Sequence, residues 1–269
     1  MKITIFADVH YFGADIKEAT FDHIEKPVRY ALPLLDWLIE NTLDSALAIS
    51  LGDVIQDTIE KKRDLRALRF MLDRLEGFKC PCYSVLGNHE LKMMDSTEEV
   101  EEFLGYKGTY SIDKEGWHLV FLSPETRPEL GLGMGGSYKA QYLSEKTLAW
   151  LEDDLTKNSL PTMLFTHYAV AEDPSVKGEY NFMKNRRELK EILARHKEVK
   201  AVFSGHQHRA RSITEGDIDY YVIPSLISDL DFGRCPSRDY AEINTDGETV
   251  KVSFLRISEK EVGEIPKEI

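Results

Sequence analysis

Cysteine is scarce in this chain: three residues, Cys80, Cys82 and Cys235, in a total of 269. So few thiols, odd in number, exclude the disulfide framework of a small secreted domain. Cys80-x-Cys82 lacks further Cys or His neighbours to complete a zinc site, so both read as buried thiols ahead of a strand. Basic residues are also in deficit, 34 Lys and Arg against 47 Asp and Glu, for a formal charge of −13. A protein that binds nucleic acid by displacing counterions needs a positive surplus, and none exists here. Long apolar runs are missing as well. The best stretch, Tyr30 to Ile39, is broken by Asp36 and falls short of the roughly 20 residues that span a bilayer. No apolar signal core follows the start; Met1 to Phe6 run directly into a polar motif at Asp8. The expected compartment is the cytoplasm, with neither membrane nor nucleic acid as a partner.

What is present, 42% hydrophobic and 30% charged residues, is the composition of an ordinary soluble globule. Short apolar runs alternate with longer amphipathic segments, the pattern of strands alternating with helices. The runs are Ile3–Ala7, Leu47–Leu51, Tyr83–Leu86, Met163–Thr166 and Ala201–Ser204. One helical face is marked by Val28, Ala31, Leu32, Leu35, Leu38 and Ile39, with Pro27 near its start. A second runs from Leu65 to Leu75 and stops before Gly77. A third covers Ser96 to Leu104, where Ser96 and Glu99 form a capping-box signature. Two more span Ser144–Lys157 and Arg187–His196. Turn chemistry at Asp113–Gly116 and Asp246-Gly247 lies between alternating residues and predicts two hairpins. The simplest assembly is α/β with two packed sheets and helices outside, in one domain over residues 1–269. Gly131, Gly133, Gly135 and Gly136 make Arg127–Ala140 an expected mobile loop.

The chemistry sits where the apolar runs end. Ile3–Ala7 leads into Asp8-Val9-His10, and Leu47–Leu51 into Gly52-Asp53. Tyr83–Leu86 leads into Gly87-Asn88-His89-Glu90, Met163–Thr166 into His167, and Ala201–Ser204 into Gly205-His206-Gln207-His208. Sheets of α/β proteins place their sites at strand carboxyl ends. Three of these turns begin with glycine, which lets the backbone turn sharply. Asp8, His10, Asp53, Asn88, His167, His206 and His208 are seven candidate metal ligands without a thiolate, a donor set suited to Mn, Fe, Zn or Co. Seven exceed what one tetrahedral ion needs. A carboxylate can bridge, so they can serve two divalent ions about 3.5–4 Å apart.

Asp8-x-His10, Gly52-Asp53, Gly87-Asn88-His89-Glu90, His167 and Gly205-His206-x-His208 together resemble the signature of the calcineurin-like metallophosphoesterases. The five blocks stand in the family order between residues 8 and 208. The resemblance implies a four-layer α/β/β/α sandwich, two mixed sheets packed face to face with helices outside. It implies Asp8, His10 and His208 on one metal, Asn88, His167 and His206 on the other, and Asp53 bridging. It makes His89 an acid or charge stabiliser beside the phosphate. The chain departs from the Ser/Thr protein phosphatases, which carry Asp-Arg soon after the bridging Asp, whereas Asp53 is followed by Val54-Ile55-Gln56-Asp57. That segment and the Leu148–Glu152 helix look more like the class III cyclic-nucleotide phosphodiesterase branch.

Two divalent ions against Asp8 and Asp53 leave a net charge of about +2 at the centre. A bridging water there loses its proton near neutral pH, as zinc-bound water does with a pKa of about 7. The expected activity is a phosphodiesterase on a small nucleotide-like ester, with metal-bridging hydroxide attacking phosphorus and His89 protonating the leaving group. Asp57 or Glu90 would orient the His89 ring. One rival is a phosphomonoesterase with the same metals. The other is a non-catalytic, metal-binding scaffold, as the retromer subunit of this superfamily illustrates. Tyr11, Phe12, Tyr168 and Gln207 flank the ligands as candidate substrate contacts, and Arg127, Arg209 and Arg211 as candidates for a second phosphate. Specificity is expected in Phe12–His23 and Arg127–Ala140. His23, His118 and His196 lie outside every block and read as surface or satisfied histidines.

Overall fold

Strands of four to six residues built from Ile, Leu, Val and Phe cannot remain exposed, and here they stack into two sheets. The computed structural model describes residues 1–13, 30–58, 60–92, 94, 96–105, 108–125 and 141–262. The first sheet contains β1 (Lys2–Phe6), β2 (Leu47–Ser50), β3 (Cys82–Ser84), β10 (Asp239–Asp246) and β11 (Thr249–Arg256), in the order β11-β10-β1-β2-β3. The second contains β4 (Thr109–Lys114), β5 (Trp117–Leu122), β6 (Thr162–Thr166), β7 (Val199–Ser204), β8 (Arg211–Glu215) and β9 (Ile218–Val222), in the order β4-β5-β6-β7-β9-β8. Both are mixed: β1-β2-β3 and β5-β6-β7-β9 run parallel, and the flanking pairs run antiparallel.

Three apolar layers separate four layers of structure. Between the sheets, Ile3, Ile5 and Ile49 meet Leu119, Phe121, Phe165 and Phe203. Phe121, Phe165, Phe203 and Tyr221 stack across neighbouring strands at centroid spacings of 5.1, 5.3 and 5.2 Å. On the outer face of the first sheet, α1 (Ala31–Asn41) and α2 (Lys61–Leu75) bury Leu34, Leu35, Leu38, Leu68 and Met71. On the outer face of the second, α5 (Glu145–Lys157) and α6 (Arg186–Leu193) bury Leu151, Leu155, Leu189 and Leu193. This is the expected sandwich of two mixed sheets with helices outside. Two short helices, α3 (Asn88–Leu91) and α4 (Thr97–Leu104), follow β3.

The elements differ from the sequence expectation in detail. Both expected hairpins form, with tight turns at Glu115-Gly116 and Gly247-Glu248. A third hairpin, β8–β9 around Gly216-Asp217, was not anticipated, although Ile218, Tyr220 and Val222 alternate there and are buried. Ser96 caps α4 by accepting the Glu99 N–H at 3.2 Å, while the Glu99 carboxylate pairs with Lys61. Helix α1 is described from Ala31; Pro27, Val28, His23 and the Arg127–Ala140 loop lie outside the described residues. Helix α6 ends at Leu193 rather than at His196, whose N–H closes a turn onto Leu193 O at 3.1 Å. Cys80 and Cys82 are half-buried free thiols rather than fully buried ones. No helix among the described residues is long and apolar enough to cross a membrane.

The satisfied histidines are of the kind expected. His118 lies between two carboxylates, Nδ1 at 2.7 Å from Asp113 and Nε2 at 2.8 Å from Asp154, joining the β4–β5 hairpin to α5. His196 Nε2 bonds Glu152 at 3.2 Å.

Candidate metal centre

The carboxyl ends of β1, β2, β3, β6 and β7 face one region, and the five blocks meet there. The loops are stitched together by backbone bonds. Asp8 N donates to Gly52 O (3.1 Å), His10 N to Asp53 O (2.9 Å), and Gly205 N to His167 O (2.9 Å). All eight side chains singled out by the sequence, Asp8, His10, Asp53, Asn88, His89, His167, His206 and His208, converge on this region. Asp8 Oδ1 lies 3.3 Å from His208 Nε2 and 3.7 Å from His10 Nε2. Asp53 Oδ2 lies 3.3 Å from His167 Nε2, 3.8 Å from His89 Nε2 and 4.0 Å from His10 Nε2. Asn88 Oδ1 and His206 Nδ1 complete a second set, 3.1 and 3.2 Å from His167 Nε2.

These residues could hold cations in two groups that touch through Asp53. Asp8, His10 and His208 offer ligand atoms within 4.8 Å of one another, as do Asp53, His167 and His206. The tautomers fit such a role. A neutral imidazole carries one hydrogen, and each of the four has its outer nitrogen on an acceptor. His167 Nδ1 donates to Leu51 O (2.8 Å), His206 Nε2 to Tyr180 O (2.9 Å), His10 Nδ1 to Gln56 Oε1 (3.0 Å), and His208 Nδ1 to the Ser228 hydroxyl. The main-chain carbonyls force lone pairs inward at His167 and His206, and the Gln56 and Ser228 oxygens allow the same at His10 and His208. His10 Nε2 and His208 Nε2 face each other at 3.1 Å, an unfavourable pairing of lone pairs unless a positive charge lies between them. Asp8 Oδ1 is buried and accepts no hydrogen bond, the expected state of an oxygen reserved for a cation.

Backbone conformation aims these ligands. Asp8, His10, Asp53, His206 and His208 have φ between 50° and 65°, in the left-handed region. Among the described residues the other non-glycine positions with positive φ are Glu115 and Arg238. Such conformations cost on the order of 1–3 kcal/mol each and persist where the surroundings demand them. The glycines in front of the ligands have two separate causes. Gly52 has φ +91°, a conformation that glycine takes without strain. At Gly87, with φ −104°, the cause is space: a Cβ there would lie 2.1 Å from Asp53 Oδ1. Gly87→Ala is therefore expected to displace the Asp53 carboxylate and lower hydrolysis of a chromogenic phosphoester roughly 10²-fold. The circular dichroism spectrum should be retained.

Charges in the site are strongly coupled. Burial raises the Asp8 and Asp53 pKa, but neighbouring imidazoles, chiefly His208 for Asp8 and His167 for Asp53, hold both carboxyls well below the usual range. Burial lowers the His167 pKa, yet the Asp53 charge reverses this and pushes it up to about 9. His206, buried and beside His167, is pushed down to about 3. Glu90 is pushed up to about 7 by burial and then by Asp53.

The orienting partner of His89 is Asp57, not Glu90. His89 Nδ1 donates to Asp57 Oδ1 at 2.5 Å, and Lys92 Nζ holds the other Asp57 oxygen at 3.0 Å. Glu90 serves the backbone, accepting from Asp53 N (2.9 Å), Ile55 N (3.1 Å) and Gly87 N (2.6 Å). Several candidate substrate contacts are occupied elsewhere. Tyr168 is fully buried, its ring 4.3 Å from that of His206. Tyr11 and Phe12 are buried, and Tyr11 stacks on Phe70 at 5.1 Å. Gln207 is buried and donates to Asn181 O. Arg209 and Arg211 pair with Asp231, and Arg211 also with Asp173. Arg127 lies outside the described residues. Lys92, Gln56, Ser228 and Tyr180 were not singled out beforehand; only Gln56 and Lys92 stand beside a motif.

Residues 1–210 match the calcineurin-like phosphoesterase family model. The chain belongs to that family. It is 25% identical over 168 residues to a "probable cyclic nucleotide phosphodiesterase" of Synechococcus, covering 61% of this chain and 60% of that relative's length. It is 27% identical over 257 residues to the manganese-dependent ADP-ribose/CDP-alcohol diphosphatase of rice, covering 76% of each. A crystal structure of a dimetal phosphatase from Danio rerio shares the fold. Its TM-score is 0.69 at 17% identity, over 96% of this chain and 99% of that one.

Proposed function

We propose that this calcineurin-like phosphoesterase is a dinuclear-metal phosphodiesterase for a small nucleotide-like ester. The observation that carries the reading is the placement of Asp53 Oδ2 within 4.0 Å of imidazoles from both ligand groups. The ligand groups are Asp8, His10 and His208 on one side and Asn88, His167 and His206 on the other, bridged by Asp53. Bound there, two divalent cations supply Lewis acidity toward the phosphate and a water acidic enough to deliver hydroxide near neutral pH. The names of the Synechococcus and rice relatives support a nucleotide-like diester, and that of the rice enzyme supports manganese among Mn, Fe and Zn.

The protein's own groups supply orientation and a proton. His89 turns Nε2 toward Asp53 Oδ2, 3.8 Å away, while Nδ1 is fixed by Asp57. Burial lowers the His89 pKa, but Asp53 and Asp57 outweigh it and raise the value, which favours the doubly protonated ring whose Nε2–H could serve the leaving-group oxygen. General-acid catalysis of this kind contributes roughly 10²–10⁴-fold. A chain with three cysteines fits a reducing, cytoplasmic setting.

Protein loaded with manganese is expected to cleave bis-p-nitrophenyl phosphate faster than p-nitrophenyl phosphate. A panel of cyclic nucleotides, ADP-ribose, glycerophosphodiesters and monoesters then selects the substrate. Faster turnover of the monoester assigns the centre to a phosphomonoesterase instead, and no turnover of either favours a binding scaffold.

A further inference from the structure

Gln56 is 4% exposed and uses both ends of its amide inside the centre. Oε1 lies 3.0 Å from His10 Nδ1, and Nε2 lies 3.0 Å from His89 Nδ1 and 3.4 Å from Asp57 Oδ1. One side chain thus joins a candidate cation ligand, His10, to Asp57, the partner of the candidate proton donor His89; the His10 and His89 rings meet edge to face at 4.7 Å. The direction of the amide follows from His10. For His10 to present a lone pair from Nε2, its single hydrogen must sit on Nδ1, which then needs an acceptor. Oε1 is that acceptor. The amide NH2 is consequently turned toward the Asp57–His89 pair, where Asp57 Oδ1 is the oxygen that can take its hydrogen. A reversed amide would set a donor against His10 Nδ1, move the ring hydrogen to Nε2 and withdraw His10 from the ligand set.

We propose that Gln56 is a positioning residue for this centre, holding His10 in its ligand tautomer through Oε1 and bracing Asp57 through Nε2. The inference rests on the dinuclear reading above. Of the four imidazoles in the ligand groups, His167 and His206 are held by main-chain carbonyls, which no substitution at the acceptor removes. His10 is held by a side chain, so its orientation can be tested directly. The two ends of the amide are also separable. Gln56→Glu keeps an oxygen for His10 Nδ1–H but replaces the donor facing Asp57 with a second carboxylate. Gln56→Leu removes both ends at similar volume.

The test is a manganese titration of the purified full chain, with free Mn(II) followed by electron paramagnetic resonance. Wild type is expected to bind two ions per chain. Q56L should weaken the looser of the two by about 10–100-fold, the usual cost of losing the partner of a metal-ligating histidine. Q56E should restore tight binding, yet show a reduced kcat with little change in KM, because Asp57 is no longer braced. A purely structural role for Gln56 would not separate binding from turnover in this way. If Q56L does not fold by circular dichroism, Gln56→Asn, which withdraws the amide by one methylene, carries the same expectation. Q56L, or Q56N in its place, binding two ions as tightly as wild type overturns the Gln56 role alone, as does Q56E binding as weakly as Q56L. A wild-type chain that binds no manganese overturns the dinuclear reading and this role with it.

Discussion

Removing divalent cations with a chelator is expected to lower the melting temperature of the protein by about 8–16 °C for each site emptied. A ligand present at about 1,000 times its dissociation constant stabilises the native state by about 4 kcal/mol per site. In a chain approaching this length, each kcal/mol moves the midpoint by roughly 2–4 °C. The structural cause is the charge arrangement at the strand tips. Asp8 and Asp53 are buried within a ring of imidazoles whose inner nitrogens face one another, and Asp8 Oδ1 accepts no hydrogen bond. Cations satisfy these groups together; water and protons satisfy them singly.

The pH dependence of that gap has a definite sign. In chelated protein a proton on His167 partly neutralises Asp53, and its folded-state value of about 9 stands above the ordinary 6.5. A histidine raised on folding stabilises the native state fully below 6.5, and the contribution disappears as pH rises through 9. Glu90, raised from 4.5 to about 7, acts in the same direction at lower pH: folding favours its neutral form, and that advantage is lost by about 7. Metal binding, by contrast, strengthens as ligands deprotonate. The difference in melting temperature between loaded and chelated protein is therefore expected to widen from pH 6.5 to 9. Scanning calorimetry or fluorimetry across that range checks it; a gap that narrows with rising pH contradicts this electrostatic account.

Much of this centre was legible beforehand because strand ends are simple to read. A run of four to six apolar residues followed by Asp, Asn or His fixes both the element and the direction in which its last side chain emerges. That logic located Asp8, Asp53, His167 and the His206–His208 turn without tertiary information. It failed where the partner is a main-chain atom. The carbonyls of Leu51 and Tyr180 hold two imidazoles, yet any residue carries a carbonyl, so no pattern marks them. Ser228 is 20 residues from His208, and nothing local pairs a serine with a histidine at that separation. The choice between Asp57 and Glu90 was open because both stand near His89 in a motif. It is decided by backbone N–H groups of Asp53, Ile55 and Gly87, which claim Glu90 and leave Asp57 to the ring. The left-handed conformations at five of the ligand positions were equally invisible: Asp and His enter that region several-fold more often than most residues, but too rarely for any one position to be read from sequence.

Asp53→Asn is expected to lower phosphoester hydrolysis by at least about 10³-fold, on the order of 4 kcal/mol of barrier at 1.36 kcal/mol per tenfold. The two carboxylate oxygens have different duties. Oδ1 accepts the His89 N–H at 2.9 Å, and Oδ2 faces His167, His10 and His89. An amide has one oxygen. If that oxygen stays with the His89 N–H, an NH2 donor points at the position where both cations need an acceptor. If the amide turns over, NH2 meets the His89 N–H, and the short helix carrying Asn88 and His89 loses its anchor. Either orientation also removes one of the two negative charges that oppose the cations. Manganese content should accordingly fall from two ions per chain toward one. The fold itself should persist, because losing the Asp53 charge relieves the repulsion that raises Glu90, whose bonds to the backbone hold these loops. Chelated Asp53→Asn loses the Asp53–His167 pairing and the Glu90 repulsion together and is expected to melt close to chelated wild type, while loaded Asp53→Asn melts well below loaded wild type. Release of p-nitrophenolate, metal analysis and paired melting curves measure the three effects. Unchanged turnover, or two ions retained at wild-type affinity, contradicts the bridging role of Asp53.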